Sequence, residues 1–169
     1  MNEKELRVLL ENVAEGSLSV ENAQDHLKNM AFEEVGGYAN VDHHRAIRKG
    51  FPEVIFGQGK TSEQIIGIMS AMSKSSDEVI LVTRISSKKA LEVIKVFPDA
   101  QFHADAKMLI LSRKEPEIRS NGSIVVISAG TSDIPVAKEA YLTAKSMGNH
   151  VTTIFDVGVA GIHRLFAHR

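Results

Sequence analysis

From Val79 onward the chain alternates between two incompatible periodicities, and that alternation leaves few folds open. Val79–Thr83, Met108–Leu111, Ser123–Ser128 and Val151–Phe155 are short apolar runs, the last two rich in β-branched residues. Between them, Ser87–Phe97 carries Ala90, Leu91, Ile94 and Phe97 at helical spacing, and Pro135–Met147 does the same with Ala137, Ala140, Tyr141 and Ala144. Runs that short read as strands, while apolar positions three or four apart read as one face of a helix. Strand and helix in alternation predict an α/β fold with a largely parallel sheet. The run SIVVIS at 123–128 predicts a buried, β-branched strand.

The rest of the chain is organised around this block. Leu6, Leu9, Leu10 and Val13 predict a first helix that stops at Gly16. Ser19 is a good N-cap for a second, with Val20, Ala23 and Leu27 inward, so residues 1–30 read as a small helical hairpin. Residues 31–118 read as an α/β region. In it Phe32–Val41 and Val54–Phe56 have strand composition, broken by Gly36, Gly37, Gly50 and Pro52. The string Thr61-Ser62-Glu63-Gln64 is a capping box that opens a helix with Ile65, Ile68, Met69 and Met72 inside. The polar segment 112–122 marks a boundary, and 119–169 reads as a partial α/β unit. Two strands are too few for an independently stable parallel sheet. They either join the upstream sheet or need strands from beyond Arg169.

Charge and composition remove several function classes. Twenty Lys and Arg face 21 Asp and Glu, a net charge of −1, so no basic field points to nucleic acid or to an anionic membrane. There is no cysteine, hence no thiolate metal site and no thiol nucleophile among these residues. No apolar run approaches the ~18 residues that span a bilayer, and the charged start of the chain does not resemble a signal peptide. A cytoplasmic location is the expectation.

Two loops carry the sharpest chemistry. Ser128-Ala129-Gly130-Thr131-Ser132-Asp133 joins a strand to a helix, where open α/β sheets bind ligands. A helix start favours anions, Gly130 permits close backbone approach, and Ser132 and Asp133 offer a hydroxyl and a carboxylate. The same residue types also make an ordinary N-cap. The second loop, Asp156-Val157-Gly158-Val159-Ala160-Gly161, follows the next strand and puts an acid 26 residues after Gly130. That is close to the place of a Rossmann ribose-binding acid, although the G-x-G-x-x-G fingerprint is missing.

Other motifs are weaker. Gly57-Gln58-Gly59-Lys60-Thr61 ends like a Walker A loop, but Val54 stands where the leading glycine belongs, so it reads as a helix start. Asp42-His43-His44-Arg45, read as a polar strand, sends its two histidines to opposite faces, and His163 and His168 lie five apart. No metal site is expected from either pair.

The strings DHHR at 42–45, GFPEVIFGQGKT at 50–61, AGTSDIPVA at 129–137 and DVGVAGIHRL at 156–165 together resemble the LarB family of pyridinium-3,5-biscarboxylic acid mononucleotide synthases. The resemblance runs in the family's order over essentially the whole chain. It implies an N-terminal region followed by the first half of a flavodoxin-type, three-layer parallel sheet like that of the aminoimidazole ribonucleotide carboxylase PurE. The implied reaction is carboxylation of the pyridinium ring of nicotinic acid adenine dinucleotide with release of AMP, the first step towards the nickel-pincer cofactor of lactate racemase. The alternatives are a purine-type carboxylase or mutase and a non-catalytic nucleotide-binding module.

By this resemblance Asp133 and Ser132 are the catalytic candidates, and Gly130, Thr131, Asp156, Gly158 and Gly161 contact substrate. No tightly bound cofactor is implied. CO2 or bicarbonate is the co-substrate, Mg2+ is a candidate ion, and the full-length family member is expected to be a homo-oligomer. The family also places a cysteine beyond DVGVAGIHRL that adds to the ring. This chain contains none, so the 169 residues alone are expected to lack that covalent step.

Overall fold

The computed structural model describes residues 3–28, 32–75, 79–118 and 120–167. The expected segment limits at 30, 31 and 119, and His168, lie outside the described residues.

The chain opens with the expected hairpin of helices, α1 (Glu3–Ala14) and α2 (Val20–Lys28). Gly16 turns it at φ +74°, and the Ser19 hydroxyl accepts the N–H of Asn22, as a cap should. The apolar face is only loosely covered: Leu10 is 55% exposed.

Strands β1 (Glu33–Val35) and β2 (Ala39–Val41) pair antiparallel about the Gly36-Gly37 turn. The histidine segment departs from expectation. Asp42–His44 is a turn that feeds a short helix, α3 (Arg45–Lys49), not a strand. The Asp42 carboxylate accepts the His44 N–H at 3.1 Å and pairs with Arg48, which closes that turn. The opposite-face argument for His43 and His44 therefore does not apply. Instead, buried His43 meets Glu33 at 3.1 Å, and Arg45 lies over the Phe51 ring.

The main sheet has four strands in the order β3 (Val54–Phe56), β4 (Ile80–Thr83), β6 (Met108–Leu111), β5 (Gln101–His103). Only β3 and β4 run parallel; β4 with β6 and β6 with β5 are antiparallel. The sheet is mixed, not largely parallel. The physical reason is the connection between β5 and β6. Ala104–Lys107 is a tight turn, far shorter than the dozen or so residues a parallel crossover requires.

Helices α4 (Ser62–Ser75) and α5 (Ser87–Val96) cover one face. The capping box forms as read, with Gln64 N–H to the Thr61 hydroxyl at 3.2 Å and Thr61 N–H to the Gln64 side chain at 3.0 Å. Ile65, Met69, Val82, Val93 and Leu109 fill the space between helices and sheet with essentially no exposure. Gly67 leaves a notch on α4 in which the Tyr38 ring sits, so the β1–β2 hairpin packs onto the same helix. Among the described residues, nineteen of the 22 buried apolar ones lie between 32 and 114, and that is where the core is.

Beyond the polar connection come β7 (Ser123–Ile127), α6 (Ile134–Ser146) and β8 (His150–Ile154). The two strands do not join the upstream sheet. They pair parallel with each other alone, Ser123 opposite His150 through Ile127 opposite Ile154. Burial of the SIVVIS run is therefore corrected: Ile124, Val125 and Ile127 are 40%, 49% and 55% exposed. Among the described residues β7 has one neighbouring strand and one covering helix, so its other side stays open whatever its composition. Helix α6 packs on this pair and also reaches the four-stranded sheet, where Leu142 meets Leu81, Ala106 and Met108. Two ion pairs of opposite polarity hold it there, Arg84 with Glu139 at 2.6 Å and Lys138 with Asp105. The expected C-terminal helix is a 3-10 turn at Val159–Gly161 and a single turn, α7 (His163–Phe166). No helix among the described residues is long and apolar enough to cross a membrane.

Candidate functional site

The two loops singled out by their residue types meet at the C-terminal ends of β7 and β8. Ser128 N–H extends the ladder to the Ile154 carbonyl at 3.0 Å. Beyond it, Val157 N–H bonds to Ser128 O at 3.1 Å and Gly158 N–H to Ala129 O at 2.9 Å. The loops are thus stitched backbone to backbone. Gly158 is required there, because a Cβ would fall 3.0 Å from the Ala129 carbonyl oxygen.

Asp133 does not cap α6; no side-chain cap bond forms. Its carboxylate turns back and accepts the Gly130 N–H at 2.9 Å, while Asp133 N–H returns to Gly130 O at 3.0 Å. This reciprocal pair closes the 3-10 turn Thr131–Asp133 and leaves Thr131 and Ser132 exposed. Ser128 is the unusual member. It is buried, and its hydroxyl has no hydrogen-bond partner among the described residues. A buried unpartnered polar group is costly, so its persistence at a strand end invites a functional reading.

Asp156 adopts φ +59°, a left-handed conformation that non-glycine residues rarely take. Arg164 holds it there through a 2.8 Å ion pair. Gly161 makes room for that arginine: a Cβ on it would lie 2.7 Å from Arg164 Nε. Residue types in the sequence did not single out Arg164. Its role follows from the backbone of Asp156, and the only sequence sign was a cation eight positions after an acid. The structure therefore brings Gly130, Asp133, Asp156, Gly158 and Gly161 into one end of the β7–β8 unit, with Arg164 and Ser128 added. The two carboxylates are held by different partners.

The other motifs stand apart. Gly57–Thr61 follows β3, where the Gly57 carbonyl accepts from Lys89 at 3.4 Å and the Gly57 N–H bonds to Thr83 O at 2.7 Å. These are structural contacts for a strand end and a helix start. Among the described residues no three His, Cys, Asp or Glu side chains converge as metal ligands. At the α6 clamp the Lys138 ammonium holds the Asp105 carboxyl below the usual carboxylate range.

Residues 32–114 match the LarB/PurE-like N-terminal domain. The match is to the N-terminal domain of the LarB family and covers 83 of the 169 residues. The matched stretch spans β1 through β6 and contains the core, whereas the loops at 128–133 and 156–161 lie beyond it. They fall within a longer similarity: an uncharacterized protein of Methanocaldococcus jannaschii is 36% identical over 167 residues, covering 96% of this chain. The chain spans 65% of the length of that relative.

Proposed function

We propose that this chain is a LarB-family member and contributes to a carboxylase that takes nicotinic acid adenine dinucleotide and CO2 or bicarbonate to the carboxylated mononucleotide, releasing AMP. The observation that carries the reading is the paired loop at the ends of β7 and β8, with a buried Ser128 hydroxyl, unpartnered among the described residues, beside an exposed hydroxyl pair at Thr131 and Ser132. A helix N-terminus with free hydroxyls suits a carboxylate or phosphate. In this reading Ser132 and the loop N–H groups hold the anionic group, and Asp133 orients the loop and stands near the reacting ring. Asp156, kept in place by Arg164, together with Gly158 and Gly161 lines the nucleotide side. A pyridinium carbon becomes nucleophilic only after a nucleophile adds to the ring, and no thiol exists among these 169 residues. The chain by itself is therefore expected to bind the dinucleotide without turning it over. A cytoplasmic location, a homo-oligomeric complete enzyme and any need for Mg2+ belong to the same proposal.

The test is incubation of the purified chain with the dinucleotide and 13C-bicarbonate, followed by mass spectrometry and an amide NMR titration. Shifts confined to 128–133 and 156–161, with no labelled mononucleotide and no AMP, are expected. A preference for aminoimidazole ribonucleotide over the dinucleotide would replace this substrate with a purine precursor.

A further inference from the structure

A cleft of about 590 Å³ opens at the opposite end of α6 from the paired loops. The helix has 13 residues, which at ~1.5 Å per residue sets the cleft about 20 Å from Asp133. It is walled by the loop into β3, by β4, by the connection at 112–117 and by the last residues of α6, with Lys4 and Glu5 of α1 at the rim. A concavity of this size where separate parts of a chain meet is the usual setting for a small-molecule site.

Three features of the lining agree on what it would hold. The walls are apolar where Phe51, Pro52, Val54, Leu81 and Met147 contribute. Among the described lining residues the carboxylates of Glu5, Glu53, Glu115 and Glu117 outnumber the ammonium groups of Lys4 and Lys114, Lys4 being paired with Glu117 at 2.5 Å. Ser146 and Met147 place the C-terminal end of α6 in the wall, and the negative end of a helix dipole favours a cation. Ser146 is itself only 9% exposed. We infer that this cleft is a binding site for a small organic cation with an apolar body. The inference is independent of the proposed carboxylation, since none of its residues belongs to the paired loops.

The experiment is an amide NMR titration of the 169-residue chain at low salt with benzyltrimethylammonium, phenylacetate and benzyl alcohol. The cation should bind with a millimolar Kd, as a small probe does, and shift the amides of Phe51, Glu53, Glu115–Glu117 and Met147. Phenylacetate should bind at least about tenfold more weakly, with benzyl alcohol between. The double variant Glu53→Gln/Glu115→Gln should weaken the cation about three- to fivefold, the size of screened pairs at a partly exposed site. Ser146→Leu should fill the cleft and abolish binding; its fold is checked by circular dichroism, and the glutamine variants decide the matter if it unfolds. Equal or tighter binding of phenylacetate, shifts centred on Gly130–Asp133, indifference to the double variant, or no cation binding up to about 20 mM would each overturn the inference.

Discussion

Gly57 is the position where a single methyl group should do most harm to the LarB-type domain. It ends β3 beside β4, is buried, and its N–H donates to the Thr83 carbonyl at 2.7 Å. An added Cβ would lie 2.9 Å from that same oxygen, 3.2 Å from Val82 Cγ1 and 3.3 Å from Ile85 Cβ. Two of the three neighbours are fully buried side chains and the third is backbone, so nothing nearby can swing away. Relief requires the strands to part by a few tenths of an ångström, which stretches the Gly57–Thr83 hydrogen bond. Overpacking of this kind costs about 1–3 kcal/mol, offset by about 0.4–1 kcal/mol from the stiffer unfolded chain. Gly57→Ala should therefore lose about 1–2 kcal/mol net. At this chain length that lowers Tm by about 2–8 °C. Urea unfolding followed by circular dichroism measures it, with Gly122→Ala as control. Gly122 has nothing within 4 Å of its would-be Cβ and no positive φ, so its alanine should be neutral or slightly stabilising. A Gly57→Ala protein as stable as the parent, or a Gly122→Ala protein equally damaged, would refute the steric argument.

Three further outcomes follow from the same geometry. Met69→Ala, at a fully buried position between α4 and the sheet, should lose about 2–5 kcal/mol in the same urea assay. Asp133→Asn keeps an acceptor for the Gly130 N–H, so stability should stay within about 0.5 kcal/mol while dinucleotide binding by NMR falls. Unchanged binding would reduce Asp133 to a loop brace. Asp105 is ionised more readily in the folded than in the unfolded chain, so its pairing with Lys138 stabilises above the ordinary carboxylate pKa and is lost as pH falls through the lowered folded value. Both side chains are a third exposed or more, so Asp105→Asn should cost no more than about 0.5 kcal/mol at neutral pH, and parent and variant should converge in acid.

Much of the local structure was legible because it is decided locally. The Thr61–Gln64 box and the Ser19 cap are written in residues three apart, and both form. The strand directions were not legible in the same way. Gln101–His103 is only three residues long and lacks an apolar run, so β5 escaped notice. With it went the hairpin that makes β6 antiparallel. Burial of β7 was misread because burial is a property of neighbours, and composition describes only the strand itself. At the site, the loop residues were visible as types, but Arg164 was not. Nothing in the sequence shows that Asp156 takes a left-handed backbone in need of a partner.

The loose packing of β7 and β8 has a consequence for how the molecule opens. Their amides are protected by one parallel ladder and one helix, whereas β4 is buried along its whole length between β3 and β6. Regions with few buried apolar contacts exchange hydrogen through local opening, and those in the core exchange only through global unfolding. The chain thus has two tiers of stability, with α6 as the hinge between them: its ion pairs with Arg84 and Asp105 tie the weaker tier to the stronger. Whatever strengthens that tie, or supplies β7 with a second neighbour, would raise protection at Ser128 and Asp133 without touching either residue.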